Sequence, residues 1–163
     1  MHASIAERFV YGRPYDPVAG DTVSPVVPRS GTALLGRILI GAIFVVSGFS
    51  KLTDSAGAIA YMTQAGVPSP EILVYVAGAA ELAGGLALVL GFLTRLAALG
   101  LIAVLVLINY FMHGFWALEG AEAQAQMVQF MKNLAIIGGL AAFVAFGPGR
   151  YSIDAKLRGP KAP

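Results

Sequence analysis

The stretch ILVYVAGAAELAGGLALVLGFLTRLAALGLIAVLVLINYFMHGFW, residues 72–116, carries two formally charged side chains, Glu81 and Arg95. Arg95 belongs to the short Leu93-Thr94-Arg95 turn, which divides the run into Ile72–Leu93 and Leu96–Trp116, of 22 and 21 residues. Each half matches the roughly 20 residues a helix needs to cross a hydrocarbon core of about 30 Å. So short a link forces the two helices to be antiparallel neighbours. Glu81 then lies deep inside a span, where an ionisable group is costly.

Working outward, two more spans of the same kind emerge: Leu34–Leu52, of 19 residues, and Met127–Phe146, of 20. The breakers fall between the spans, at Pro68 and Pro70, at Gly120–Gln126 and at Gly147-Pro148-Gly149. The expected fold is all-α, an integral membrane four-helix bundle with up-down topology. Residues 33–154 form the transmembrane domain, and 155–163 a short tail. Met1–Thr32 is polar, holds Pro14, Pro17, Pro25 and Pro28, and lacks the early apolar stretch of a signal peptide. It is read as an extended or disordered tail.

Composition agrees. With 12% charged residues and a mean hydropathy of +0.74, the chain is far from a soluble domain, whose charged share is about 25%. A length of 163 residues allows one domain. A formal charge of +2 and the lack of a basic, aromatic-interleaved stretch argue against a nucleic-acid partner. The chain has no cysteine, which removes disulfides and thiolate metal sites.

Positive charge sets the expected orientation. Arg8, Arg13, Arg29, Arg95, Arg150, Lys156, Arg158 and Lys161 fall on one side of the four spans, and only Lys51 on the other. Both termini are therefore expected in the cytoplasm. Tyr110, Phe111, Phe115 and Trp116 lie toward the outer end of the third span, where amphipathic rings favour the headgroup boundary.

Within the spans, Arg37, Glu81, His113 and Lys132 are the ionisable groups to look to first for function, with Lys51 closing the first span. Glu81 lies roughly 14 Å from the outer end of its helix, near the midplane. Its helical neighbours are Ala77, Gly78, Gly84 and Gly85, so Glu81 faces the bundle interior on a surface that lets another helix approach closely. Asn109 and His113 share a face at i and i+4, and Gln126, Gln129 and Lys132 or Asn133 form a polar stripe at the start of the fourth span. These faces predict a pocket between helices, open to the outer side, with Glu81 paired to Arg37 or Lys132. A purely structural role for the same groups, as interhelical glue, is the alternative.

The ordered set Gly36-Arg37, Gly48-Phe49-Ser50-Lys51-Leu52, Ala80-Glu81-Leu82-Ala83-Gly84-Gly85, Gly91 with Thr94-Arg95, Phe111-Met112-His113, Phe130-Met131-Lys132-Asn133-Leu134 and Gly147-Pro148-Gly149-Arg150-Tyr151-Ser152-Ile153-Asp154 resembles the DoxX family of small four-helix bacterial inner-membrane proteins. The resemblance covers about Thr32 to Asp154. It implies a multi-pass protein of the bacterial inner membrane and a redox context, since the family is named for a membrane complex that passes electrons to or from quinone. The polar positions it carries over are Arg37, Lys51, Glu81, His113, Lys132 and Asn133.

One histidine in the spans is a poor basis for haem, a lone Glu and His make a thin metal site, and no glycine fingerprint stands in a strand-helix unit. Haem, metal and nucleotide are not expected. A quinone suits what remains, because it needs an apolar slot, a donor and a proton-exchanging group. Glu81, His113 and Lys132 are the candidate catalytic groups, and Arg37, Asn109 and Asn133 the candidate cofactor-binding ones. The expected function is a quinone- or quinol-contacting, or accessory, subunit of a membrane oxidoreductase, with redox-enzyme partner subunits in the bilayer and a homo-oligomer left open. The alternatives are a proton-coupled small-solute transporter and a scaffold or assembly protein without catalysis. Reporter fusions at Pro163 and Gly120 are expected to give opposite topology signals, and matching signals would remove the four-span reading.

Overall fold

The computed structural model describes residues 29–157, and the two tails expected from the sequence fall almost wholly outside that range. The described chain is helical throughout: α1 is Arg29–Thr53, α2 Ala56–Gln64, α3 Pro70–Leu90, α4 Thr94–Met112, α5 Gly120–Phe146 and α6 Ile153–Leu157, with a single 3-10 turn at Phe115–Ala117. Four helices, α1, α3, α4 and α5, are long and apolar enough to cross a membrane. They match the four expected spans.

Helix limits differ from the sequence reading by a few residues at most ends, α4 stopping at Met112 and not at the expected Trp116, and three further differences stand out. Helix α1 already includes Arg29–Thr32. Helix α5 begins at Gly120, seven residues before the expected Met127. The intervening Ala, Glu and Gln residues are good helix formers, and Glu122 in the first turn favours the positive end of the helix dipole. Their polarity marks the end of the apolar span but not the end of the helix. The third difference is α2, which the sequence reading leaves as a loop.

Helix α2 has a physical basis in its last turn. The Val67 N–H donates to the Met62 carbonyl at 3.0 Å and the Gly66 N–H to Thr63 at 3.1 Å, the paired bonds of a helix-terminating Schellman motif, with Gly66 at φ 71°. Met62 and Val67, brought together by that turn, bury themselves with Val74 of α3 and pack on Ala58, Ile59 and Met112. This small core lies at one end of the bundle. A larger one, Phe44, Leu88, Ala98, Leu101, Leu105, Leu140 and Phe143, joins the four long helices further along.

The closest helix pair is α1 with α3, and glycine makes it so. A Cβ on Gly48 would stand 2.5 Å from the Leu82 nitrogen and 2.6 Å from the Gly78 carbonyl oxygen, and one on Gly85 would stand 2.9 Å from the Gly41 oxygen. Two glycines seven residues apart on each antiparallel helix thus let backbone touch backbone over two turns. Gly48→Ala is expected to force the helices apart and cost about 1–3 kcal/mol, the usual price of overpacking. Gly100→Ala, where nothing lies within 4 Å of the added carbon, should leave thermal stability in detergent at or above that of the parent.

Candidate functional site

The close approach of α1 and α3 sets up an ion pair. Side chains lean toward the N-terminus of their own helix, so on antiparallel neighbours Lys51 and Glu81 lean toward one another across the gap between Gly48 and Gly78. Lys51 Nζ donates to Glu81 Oε2 at 2.8 Å and to Ser47 Oγ, one turn earlier on α1, at 2.6 Å. The Glu81 side chain is 2% exposed and that of Lys51 21%. An ammonium has three N–H donors, so one remains. Glu81 Oε1 takes no hydrogen bond from any described residue.

Both groups line a cavity of about 740 Å³. Its walls come from α1, α2, α3, α4 and α5, and include Phe44 and Leu105 from the larger core and Met62 and Val67 from the core under α2. The lining is predominantly apolar. Val46, Val76 and Leu107 on its edge keep more than half their surface exposed, so the cavity is continuous with the outer apolar face of the helices.

Of the residues singled out in the sequence, Glu81, His113 and Asn133 come together on this cavity. Asn133 Nδ2 donates to Asn109 Oδ1 at 2.8 Å, and Asn109 Nδ2 to the Phe130 carbonyl at 3.4 Å, so Asn109 ties α4 to α5 from outside the lining. His113 Nδ1 lies 2.8 Å from Gln126 Oε1. Lys132 is exposed on α5, where Nζ donates to Gln129 Oε1 at 3.0 Å. It does not reach Glu81.

Arg37 does not pair with Glu81 either, which corrects the expected partner. Fully buried, it donates through Nη1 to the Val89 carbonyl at 3.1 Å and the Leu88 carbonyl at 3.4 Å, and through Nη2 to the Tyr151 carbonyl. Those α3 carbonyls lie seven and eight residues beyond Glu81, roughly 11 Å along the helix. They belong to the last turn of α3, whose terminal carbonyls lack intrahelical donors. Gly91, at φ 69°, leaves the helix there, and a Cβ on it would collide with Arg37 Nη1 and with Ser152. The segment after α5 completes this clasp: Asp154 accepts from the Leu93 N–H at 2.8 Å and the Thr94 N–H at 2.9 Å, and its own N–H donates to Gly91 at 2.9 Å. A carboxylate thus caps the first turn of α4 from sixty residues away. The structure gives Arg37 a packing role at the end of the bundle remote from the cavity.

The sequence reading leaves Lys51 at the outer end of the first span without pairing it to Glu81, names Gln126 only within a polar stripe, and omits Ser47 and Tyr61. The i, i+4 spacing of Ser47 and Lys51 was the available signal.

Residues 32–114, just over half of the chain, match the DoxX family. The chain belongs to that family. It is 39% identical over 127 residues to the inner membrane protein YqjF of Escherichia coli K12, covering 76% of this chain and 90% of that one. It is also 31% identical over 121 residues to the E. coli inner membrane protein YphA, covering 74% and 86%. A more distant relative is a Surfeit locus protein 4 homolog of Drosophila melanogaster, 27% identical over 135 residues, with 78% of this chain and 41% of that one covered. No solved structure matches significantly. Four membrane-crossing helices and these relatives make the chain a multi-pass inner-membrane protein.

Removing one member of a buried ion pair leaves the other uncompensated, which costs about 3–5 kcal/mol in soluble proteins. Lys51→Met is expected to lower thermal stability in detergent accordingly, and Lys51→Met with Glu81→Gln to recover most of the loss. Equal stability of single and double variants would show that Glu81 does not depend on Lys51.

Proposed function

We propose that this DoxX-family protein binds a lipophilic molecule with a hydrogen-bonding head, entering from the bilayer, and that the molecule is a quinone or quinol handled together with a partner oxidoreductase. The observation that carries this reading is the Lys51–Glu81 pair opening onto an apolar cavity whose edge reaches the lipid-facing surface. The size is suitable. Ligand pockets run to roughly 300–1,000 Å³ with a few convergent polar groups among apolar walls. The donor set also suits a quinone ring, since the free N–H of Lys51 fits a carbonyl oxygen and Glu81 Oε1 fits a hydroxyl.

When bound, a quinone supplies two-electron, two-proton chemistry, with electrons from a partner. The chain's own residues orient the head and exchange protons with it. Lys51 holds an oxygen by a charge-assisted hydrogen bond, Glu81 takes or gives a proton at Oε1, and the walls exclude water from the ring. His113 and Asn133 extend the polar lining. Lys132 and Arg37, committed elsewhere, and Asn109, behind Asn133, act on this site only through the packing they support.

Titration of the protein, reconstituted in lipid, with a short-chain quinone analogue tests the proposal. Ser47→Ala should leave the fold intact and weaken binding by about 0.5–3 kcal/mol, and Glu81→Gln should slow proton-coupled turnover with a partner more than it weakens binding. Absence of saturable binding by the parent would overturn the quinone reading.

A further inference from the structure

The end of the cavity beneath α2 has its own hydrogen-bond chemistry, which the Lys51–Glu81 pair does not account for. Tyr61 on α2, His113 at the end of α4 and Gln126 on α5 form a chain. Gln126 Nε2 donates to Tyr61 Oη at 3.1 Å, Tyr61 Oη lies 3.2 Å from the Met112 carbonyl oxygen, and Gln126 Oε1 lies 2.8 Å from His113 Nδ1. Tyr61 has one proton to give. The Met112 carbonyl is in the last turn of α4 and receives no backbone donor from the turn that follows, so the phenolic proton belongs there; the longer 3.4 Å contact to Gln126 Oε1 is secondary. With its proton so placed, Tyr61 Oη is an acceptor toward Gln126, which turns the amide nitrogen to Tyr61 and the amide oxygen to His113. An amide oxygen only accepts, so His113 Nδ1 must carry the hydrogen. In a neutral imidazole the other nitrogen then holds a lone pair.

We propose that Tyr61 and Gln126 are positioning residues that hold His113 in its Nδ1–H tautomer, so that a bare Nε2 offers the cavity an acceptor for a ligand hydroxyl. His113 lines the cavity, and no described residue donates to its Nε2. Resting on the reading of this cavity as a quinone site, the inference assigns the ligand a hydroxyl donor: the reduced, hydroxyl-bearing form has a partner at this end, and the carbonyl of the oxidised form does not. The element that sets the tautomer is α2, a helix that crosses no membrane. Its position over the end of the bundle is held by Met62 and Val67.

The test is nitrogen NMR of full-length protein with labelled histidine in lipid nanodiscs, at a pH where the imidazole is neutral, in a His2→Ala background that leaves His113 as the single signal. The parent is expected to show a protonated Nδ1 and a bare Nε2 before any ligand is added. Tyr61→Phe keeps the ring and frees the amide to rotate, so a mixture of the two tautomers should appear; adding Gln126→Glu, whose oxygens both accept, should restore the protonated Nδ1. A short-chain 1,4-hydroquinone should then shift the Nε2 signal, and its di-O-methyl ether should not. A parent with the proton on Nε2, or a Tyr61→Phe spectrum identical to the parent's, overturns the relay. Saturable hydroquinone binding without an Nε2 shift overturns the assignment of the hydroxyl to His113 and leaves the quinone reading standing. Loss of all binding with the tautomer intact overturns the quinone reading instead.

Discussion

Backbone contact between α1 and α3 is the constraint from which the rest of the site follows. Gly41 and Gly48 on one helix and Gly78 and Gly85 on the other remove the side chains that would hold the axes apart. In a bilayer the attraction between helices comes from packing and not from exclusion of water, so the gain from this contact is large relative to the alternatives. Its consequence for chemistry is geometric. Two helices this close bring Lys51 and Glu81 within 2.8 Å of each other even though their Cα atoms sit at different depths, because the side chains lean in opposite directions along the shared groove.

The polar groups then divide by the end of the bundle they serve. Arg37, Gly91, Ser152 and Asp154 tie α1, the α3–α4 turn and the segment after α5 into one clasp, with nearly every partner a backbone group. Such bonds stabilise because the last carbonyls and first N–H groups of a helix lack partners within it. At the other end the polar atoms belong to side chains. Several of them, Glu81 Oε1 and His113 Nε2 among them, are left without a partner from the described chain. Arg37 Nε and Thr94 Oγ1 at the clasp end are also without a partner among the described residues, but both residues are fully buried, whereas Glu81 and His113 line the cavity.

The four spans were legible because length and apolarity are properties of a segment alone, and the helix of each can be read without knowing what it touches. The partner of Glu81 was not. Counting residues put Lys51 at the outer end of the first span and Glu81 near the midplane, and a count of Cα positions ignores both the reach of a lysine and the tilt of its Cβ. Arg37 was misread for a related reason: a charge in a span suggests a counter-charge, whereas the acceptors here are carbonyls at the end of α3, which no pattern of side chains reveals. Helix α2 escaped because nine residues without charge are too short to announce a span, although Gly66 after Met62 and Thr63 carried the signal of a helix end. Since α2 supplies Tyr61, the hydrogen-bond chain to His113 was hidden with it.

A buried ion pair is weak evidence of stabilisation, because well-packed apolar residues of similar volume would hold two helices at least as well. In this chain the glycine contact and the clasp already join α1 to α3, so the pair is not needed for that purpose. Its placement on the cavity wall favours a role toward a ligand. Whether that ligand passes through or docks is then a matter of access. Helix α2, fastened by Met62, Val67 and Val74, packs over one end of the cavity, and the larger core of Phe44, Leu88, Leu101 and Leu140 fills the bundle below it. A solute crossing from one aqueous face to the other would have to displace both. The apolar edge at Val46, Val76 and Leu107 needs no such rearrangement, which favours a molecule that enters and leaves through the bilayer over one carried across it.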